Sequence, residues 1–303
     1  MNWRNFSLVV ILSLVSGASF AQSNLLNAKT PDQIGKKTEA QLKSDNDKPL
    51  PYGYVHDRDV LMGKKVWEII DLDERINFPM SFPIEENLGP DRKPLYEVLT
   101  AGIKDGRLTE VYDDSYFTTK KTLKDIEASL YKIDTTDGGK DEMKSDIKAY
   151  RSGKKTISPE YINKTEVKAI DVSGYKVVGY WYFDNRQGEL KYRMLGICPV
   201  VPDVYTMDKE EKDYIDLFWV YFPSARDLLH ESKAFNDKNS AMPITFDHLL
   251  NSRRFNAVIY QEENVMGDRK IEDYMKDNAQ SQLLESERVK DKIRNFEQDM
   301  WNY

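Results

Sequence analysis

The residues able to do chemistry are few, and their spacing argues against most familiar reactions. Gly153-Lys154-Lys155-Thr156 has the ending of a phosphate loop, but Lys148 stands where the opening Gly belongs and no apolar strand leads in, so a Walker-type nucleotide site is rejected. Neither a dinucleotide glycine fingerprint nor a Gly-x-Ser-x-Gly nucleophile elbow occurs. The only histidines, His56, His230 and His248, have no partner at metal-ligand spacing, which removes the His-Glu-x-x-His type of zinc site. They read as surface or boundary residues. Asp71, Asp73 and Glu74 crowd one turn, and Asp113-Asp114 form a second acidic pair. Neither has the alternating oxygen ligands around a Gly that a calcium loop requires, so solvated or Arg-paired carboxylates are expected. Paired carboxylates for glycoside hydrolysis are spaced in three dimensions and leave no trace in sequence. A periplasmic hydrolase with an unrecognised carboxylate site is therefore the alternative reading, and it needs acids converging in one apolar cleft. No cofactor or metal site is assigned.

Cys198 is the sole cysteine, so it has no intrachain disulfide partner. It lies in the apolar run Met194-Leu195-Gly196-Ile197-Cys198-Pro199-Val200. A buried, inert thiol is expected there, because a nucleophile wants a nearby His and an electropositive setting.

The chain has 303 residues, 44 Lys+Arg against 51 Asp+Glu and a net charge of -7, which argues against nucleic acid as a partner. With 12% aromatic residues and little low-complexity sequence, a packed globular body is expected. The N-terminus reads as a signal peptide over residues 1–21. Arg4 is the positive region, Phe6 to Val15 is a short apolar stretch, and Ser19-Phe20-Ala21 presents the small residues read by a signal peptidase. Cleavage is expected between Ala21 and Gln22. The apolar run is well short of the roughly 20 residues that span a bilayer. No cysteine adjoins the cleavage position, so lipidation there is excluded and a soluble exported product is expected.

Residues 22–51 are polar and lack apolar periodicity, and read as an extended arm. An N-terminal αβ half over 52–150 and a C-terminal αβ half over 151–303 follow, separated by a polar stretch that runs through Pro159. Asp59 to Ile70 mixes helical and strand spacing around Gly63. The two prolines of Phe78 to Pro83 point to an extended path. A helix is expected from Pro94 to Gly106, a strand from Leu108 to Tyr112, a helix from Thr122 to Lys132, and a loop over Thr135 to Lys140. The second half should open with an antiparallel β-meander of Glu166–Val172, Tyr175–Phe183 and Glu189–Val200. Ile215 to Phe222 should be a strand buried on both faces, followed by a helix N-capped by Ser224. Thr245 to Asn251 reads as a helix, Phe255 to Tyr260 as a strand, and the end from Ala279 as a helix with a seam of Val289, Ile293, Phe296 and Met300. Internal packing is the preferred role of that seam. The helix-turn-strand units Leu95–Tyr112 and Phe246–Tyr260 echo one another, a weak internal αβ repeat. The fold class is α+β.

Aromatic density around polar residues is distinctive: Tyr180-Trp181-Tyr182-Phe183-Asp184 and Phe218-Trp219-Val220-Tyr221-Phe222-Pro223. Core packing accounts for part of it, and the remainder suits protein interfaces, where Trp, Tyr and Arg carry most binding energy. Trp67, Arg75, Trp181, Tyr182, Trp219 and Tyr221 are the candidate interface residues.

The segments Val66-Trp67-Glu68-Ile69-Ile70-Asp71-Leu72-Asp73-Glu74-Arg75-Ile76-Asn77, Phe82-Pro83-Ile84, Leu217 to Pro223, Thr245-Phe246-Asp247 and Arg253-Arg254-Phe255 resemble the GldN family of gliding-motility proteins. That family includes the paralogue type GldO and the PorN proteins of type IX secretion. The likeness runs from about Tyr52 to Tyr303. The resemblance implies a non-enzymatic, periplasmic ring subunit at the inner face of the outer membrane. It also implies an outer-membrane lipoprotein ring partner, contact with the periplasmic parts of the inner-membrane motor complex, and self-association within the ring. The family has no catalytic residues to carry over.

Overall fold

The computed structural model describes residues 48–84, 93–145, 158–207, 209–235, 244–276 and 278–301. The signal peptide with Ala21 and Gln22, most of the arm, and the segment containing Lys154 and Lys155 lie outside them.

One antiparallel sheet organises the described chain. Its strands are β1 (Val60–Asp71), β2 (Val111–Tyr112), β5 (Gly174–Asp184), β6 (Glu189–Pro202), β8 (Trp219–Tyr221) and β11 (Val258–Glu262), in the order β11-β1-β5-β6-β8-β2, with β7 (Tyr214–Asp216) paired to β6. Two smaller ladders pair β3 (Tyr131–Thr135) with β4 (Ile162–Glu166), and β9 (Lys233–Ala234) with β10 (Ile244–Thr245). The helices are α1 (Phe78–Ser81), α2 (Leu95–Lys104), α3 (Leu123–Leu130), α4 (Asp137–Ser145), α5 (Phe222–Glu231), α6 (Phe246–Asn251), α7 (Ile271–Tyr274) and α8 (Ala279–Trp301). This is the expected α+β class. Because β1 and β2 come from one half of the sequence and β5 to β11 from the other, the line near residue 150 divides the chain without dividing the sheet.

Gly63 settles the ambiguity of the first segment in favour of a strand. It pairs with Tyr182 of β5, and a Cβ there would come 1.8 Å from the hydroxyl of Tyr180, two residues along that strand. The β5–β6 hairpin is closed by the predicted Asn185–Gly188 turn, in which Gly188 takes a φ of 65° and its N–H donates to the Asp184 carbonyl at 2.8 Å. The expected first meander strand, Glu166–Val172, does not join the sheet. Residues 162–166 pair with β3 instead, while Val167, Ala169 and Val172 fold into the core around a turn whose Lys168 N–H donates to the Asp171 carboxylate at 2.8 Å.

Val66, Glu68 and Ile70 alternate to one face of β1. On that side Ile70, Tyr175, Val177, Ile197 and Val220 form the main core with Leu95, Val98 and Leu99 of α2, Phe222 and Leu229 of α5, and Phe246 and Leu250 of α6. Val66 and Ile259 pack instead against Ile271, Val289 and Ile293. The α8 seam is thus used internally, with Phe296 edge-to-face on Phe183 at 5.8 Å. The opposite face carries a smaller cluster of Trp67, Val178, Cys198 and Trp219.

Several local expectations give way to packing. Phe78–Ser81 is one helical turn because Pro79 sits in its first turn, where a missing N–H costs nothing. The expected strand Ile215–Phe222 splits into β7 and β8 around the fully buried Leu217-Phe218, and Phe222 already begins α5. Tyr221, not Ser224, is the N-cap, while the Ser224 hydroxyl donates back to the Tyr221 carbonyl at 2.8 Å. The expected loop at Thr135–Lys140 becomes the start of α4, and the strand before Tyr260 begins at Val258 and runs on to Glu262. α3 is entered through a reciprocal box in which Thr122 and Asp125 cap one another. The two echoing units end their helices alike. Gly106 (φ 70°) and Arg253 (φ 49°) take left-handed conformations after α2 and α6, and each leads at the same interval into a strand at one rim of the sheet.

Candidate functional site

The candidate interface residues separate by depth. Trp67 and Trp219 are 0% and 2% exposed and are core side chains of the second face; Tyr182 is also buried. Trp181 is half-buried against Tyr192, with ring centroids 5.0 Å apart. Arg75 and Tyr221 reach solvent. Arg75 lies in an exposed apolar patch with Ile76, Phe78 and Phe82, the last two rings meeting edge-to-face at 5.2 Å.

A short loop, Asp113 to Lys121, packs on the cluster that holds Trp67 and Trp219, beside Tyr112, Leu195 and Tyr260. Tyr116 lies 5.5 Å from Trp67 between ring centroids. Phe117, at φ 60°, drops onto Gly196 and touches Tyr112 and Tyr221 at 5.4 and 5.3 Å. Asp114 holds this turn. Its carboxylate accepts from the N–H groups of Tyr116, Thr118 and Thr119 at 2.8 to 3.2 Å and from the Thr118 hydroxyl at 2.5 Å. Burial pushes the Asp114 carboxyl up, but these hydrogen bonds outweigh it and hold the group below its ordinary range.

Two ion pairs tie distant segments together. Glu68 in β1, 1% exposed, receives both guanidinium nitrogens of Arg253 at 2.8 Å. The Arg253 guanidinium also lies 4.1 Å from the Tyr192 ring centre and 5.1 Å from that of Trp181. Burial and then the Glu68 charge push the Tyr192 phenol well up, so it stays protonated. In the second pair, Arg226 of α5 binds Asp247 of α6 at 2.8 and 3.1 Å.

That second pair anchors the point where the chain enters the fold. Asn251 donates to Asp247 Oδ1 at 2.7 Å and accepts from the Tyr52 hydroxyl at 2.7 Å. The Tyr52 ring lies 4.3 Å from the Arg226 guanidinium and 4.7 Å from that of Arg193, whose Nη2 donates to the Gly53 carbonyl at 3.0 Å. Residues 50–55 thereby form a strap over the lower part of β6, bordering a cleft of about 350 Å³ that Asp184, Lys191 and Arg193 also line. Of the residues that line this cleft, the sequence singled out Tyr182 alone, as a candidate interface residue. The parts of strap and cleft are scattered from Tyr52 to Asn251, and no local spacing links them.

The buried acids do not converge. Glu68 and Asp247 are each held by an arginine, Glu285 pairs with Arg288 at 2.6 Å, and Asp184 accepts from the Arg186 N–H at 3.0 Å. No group of His, Cys, Asp or Glu suited to a metal occurs among the described residues, and no helix among them is long and apolar enough to cross a membrane. His56 and His248 are exposed and His230 half-buried, while Cys198 is fully buried with its thiol pushed well up by that burial.

Four of the five segments that carried the resemblance meet at these junctions, while Phe82–Ile84 lies apart from them. Val66–Asn77 brings Trp67 and Glu68, Leu217–Pro223 brings Trp219, Thr245–Asp247 brings the Arg226 partner, and Arg253–Phe255 brings the Glu68 partner. No curated protein matches the chain. A family does, over residues 55–302, and its description is gliding motility associated protein GldN: the chain belongs to the GldN family.

Proposed function

We propose that this chain is a non-enzymatic structural subunit of the type IX protein secretion and gliding-motility machinery. It is exported through the signal peptide, cleaved between Ala21 and Gln22, and works in the periplasm at the inner face of the outer membrane. There it self-associates within a ring, beside an outer-membrane lipoprotein partner and the periplasmic parts of the inner-membrane motor complex. The family match over residues 55–302 carries this reading. The internal matching of Glu68, Asp247 and Glu285 by arginines is consistent with it, since it leaves those acids without a hydrolytic role. Of the candidate interface residues, Arg75 and Tyr221 have surface to offer a partner, and Tyr182 borders the strap cleft.

The arm is the preferred interchain element. It is too poor in apolar side chains to fold alone, and such segments order on a neighbour in return for contact area. Deleting Asn24 to Lys48, with the signal peptide and cleavage site kept, should leave a folded protein that no longer co-purifies in a large complex with its lipoprotein partner. Assembly of the deletion variant at the wild-type level would move the interface to the folded body. Mass spectrometry of the native protein should find Gln22 at the N-terminus, in the periplasmic or outer-membrane-associated fraction. An intact Met1 segment, or fractionation with the cytosol, would overturn the export reading.

A further inference from the structure

We propose that the cleft beside the strap recognises a single carboxylate, an Asp or Glu side chain on an extended segment of a partner protein, and that Arg193 reads it. The cations around the cleft are not equivalent. Arg226 is spent on Asp247, and Lys191 lies 3.5 Å from Asp184 and 4.0 Å from Glu189. Arg193 has no carboxylate within ion-pair distance among the described residues. Its one hydrogen bond goes to the neutral Gly53 carbonyl. A guanidinium presents a fork of N–H donors, so most of its donor capacity is left for a ligand.

Arg193 is also held in place before any ligand arrives. Its guanidinium lies 4.7 Å from the Tyr52 ring centre and 5.7 Å from that of Tyr182, and the Gly53 carbonyl fixes its rotation. Tyr52 is in turn fixed by Asn251 and Arg226. A pre-positioned fork loses little side-chain entropy on binding, which separates it from a mobile surface lysine. The cleft, at about 350 Å³, is in the lower part of the range of roughly 300–1,000 Å³ typical of ligand sites. Leu50, Tyr54 and Gln187 on its wall offer apolar and polar contacts to a peptide backbone and its flanking side chains.

The charge balance sets the class of ligand. One cation is uncompensated, and Asp184 stands on the same wall. A phosphate dianion or a polyanion would meet that carboxylate with charge to spare, whereas a carboxylate monoanion matches the single excess positive charge. The cleft therefore fits an acidic side chain better than a phosphorylated one or a nucleic-acid backbone. This site depends on the fold alone and stands apart from the assembly role proposed above.

The test uses the full mature chain, immobilised, and three pools of capped pentapeptides with randomised flanks and a fixed centre of Glu, Gln or phosphoserine. The Glu pool should be retained roughly ten-fold better than the Gln pool, the factor expected of a charge-assisted bidentate contact. Arg193→Gln should bring that ratio to about one with the melting temperature nearly unchanged. Arg193→Lys keeps the charge without the fork and should fall between the two, and it decides the matter if Arg193→Gln loosens the strap. Equal retention of the Glu and Gln pools by the wild type, a Glu preference that survives both substitutions, or stronger retention of the phosphoserine pool would each overturn the proposal.

Discussion

Arg253 leaves the backbone at a φ of 49° and closes two 2.8 Å hydrogen bonds on Glu68, a carboxylate in β1 that is 1% exposed. The left-handed position that Gly106 fills without strain in the equivalent unit is filled here by an arginine, because the guanidinium is needed across the sheet. Removing one member strands the other. Arg253→Ala should cost about 3 kcal/mol in urea unfolding, the low end for a broken buried pair because the Arg253 side chain is 24% exposed. Arg253→Gly with Glu68→Gln should recover much of that loss, since it removes the buried charge and the backbone strain together. A double variant no more stable than Arg253→Ala would show that the pair acts through packing.

Gly196 and Phe117 form a second coupled pair. A Cβ at 196 would stand 2.6 Å from the tip of the Phe117 ring. Gly196→Ala should therefore destabilise by about 1–3 kcal/mol, the usual cost of overpacking. Combined with Phe117→Ala, the two losses should sum to less than their separate values in a double-mutant cycle.

Acidification should loosen the Asp113–Lys121 loop. The Asp114 carboxyl is depressed in the folded protein relative to its ordinary value of 3.8. Its contribution is therefore complete above that value and is lost as pH falls through the folded one. Tryptophan fluorescence followed from about pH 5 down to about pH 2 should shift as the side of Trp67 covered by Tyr116 is exposed, with the change falling below the ordinary carboxylate value. In Asp114→Asn, the Asp114-dependent component of that shift should be absent, with the loop already loosened at neutral pH.

Cys198 packs with Trp67, Val178 and Trp219, and its burial pushes the thiol well up. Thiol reagents should leave the native protein unmodified at pH 8 and react only in denaturant. Cys198→Ser places a hydroxyl in that cluster and should cost about 1–2 kcal/mol while secretion and gliding stay near wild type. Loss of function at normal protein levels would reveal thiol chemistry.

The sequence makes the β5–β6 hairpin legible because its turn chemistry is local: Gly188 supplies the left-handed residue where the strands reverse. The helices beginning at Leu95 and Leu123 are legible through Pro94 and Thr122. Gly138-Gly139 hides α4 and Pro79 hides α1, since each reads as a breaker while sitting in a first turn. Trp67 and Trp219 look like interface anchors in one dimension. They belong to a buried cluster on which a loop shaped by Asp114 and Phe117 packs, and that loop leaves no periodic signature. The strap is less legible still, because Tyr52, Arg193, Arg226 and Asn251 meet only after the sheet and two helices are in place.

The rims of the main sheet constrain how copies of this chain can meet. At one rim β2 has only two residues, and Tyr112 is bridged on its outer side by Lys120; at the other, Gln261 of β11 is bridged by Lys270. These bridges occupy part of each rim, which makes it a poorer template for an incoming strand. Two short ribbons, the five-residue β3–β4 ladder and the two-residue β9–β10 pair, stand apart from that sheet. Any chain that approaches such a rim has side chains rather than a full row of free backbone groups to recognise, and guarded edges of this kind resist the open-ended growth that unguarded strand edges invite.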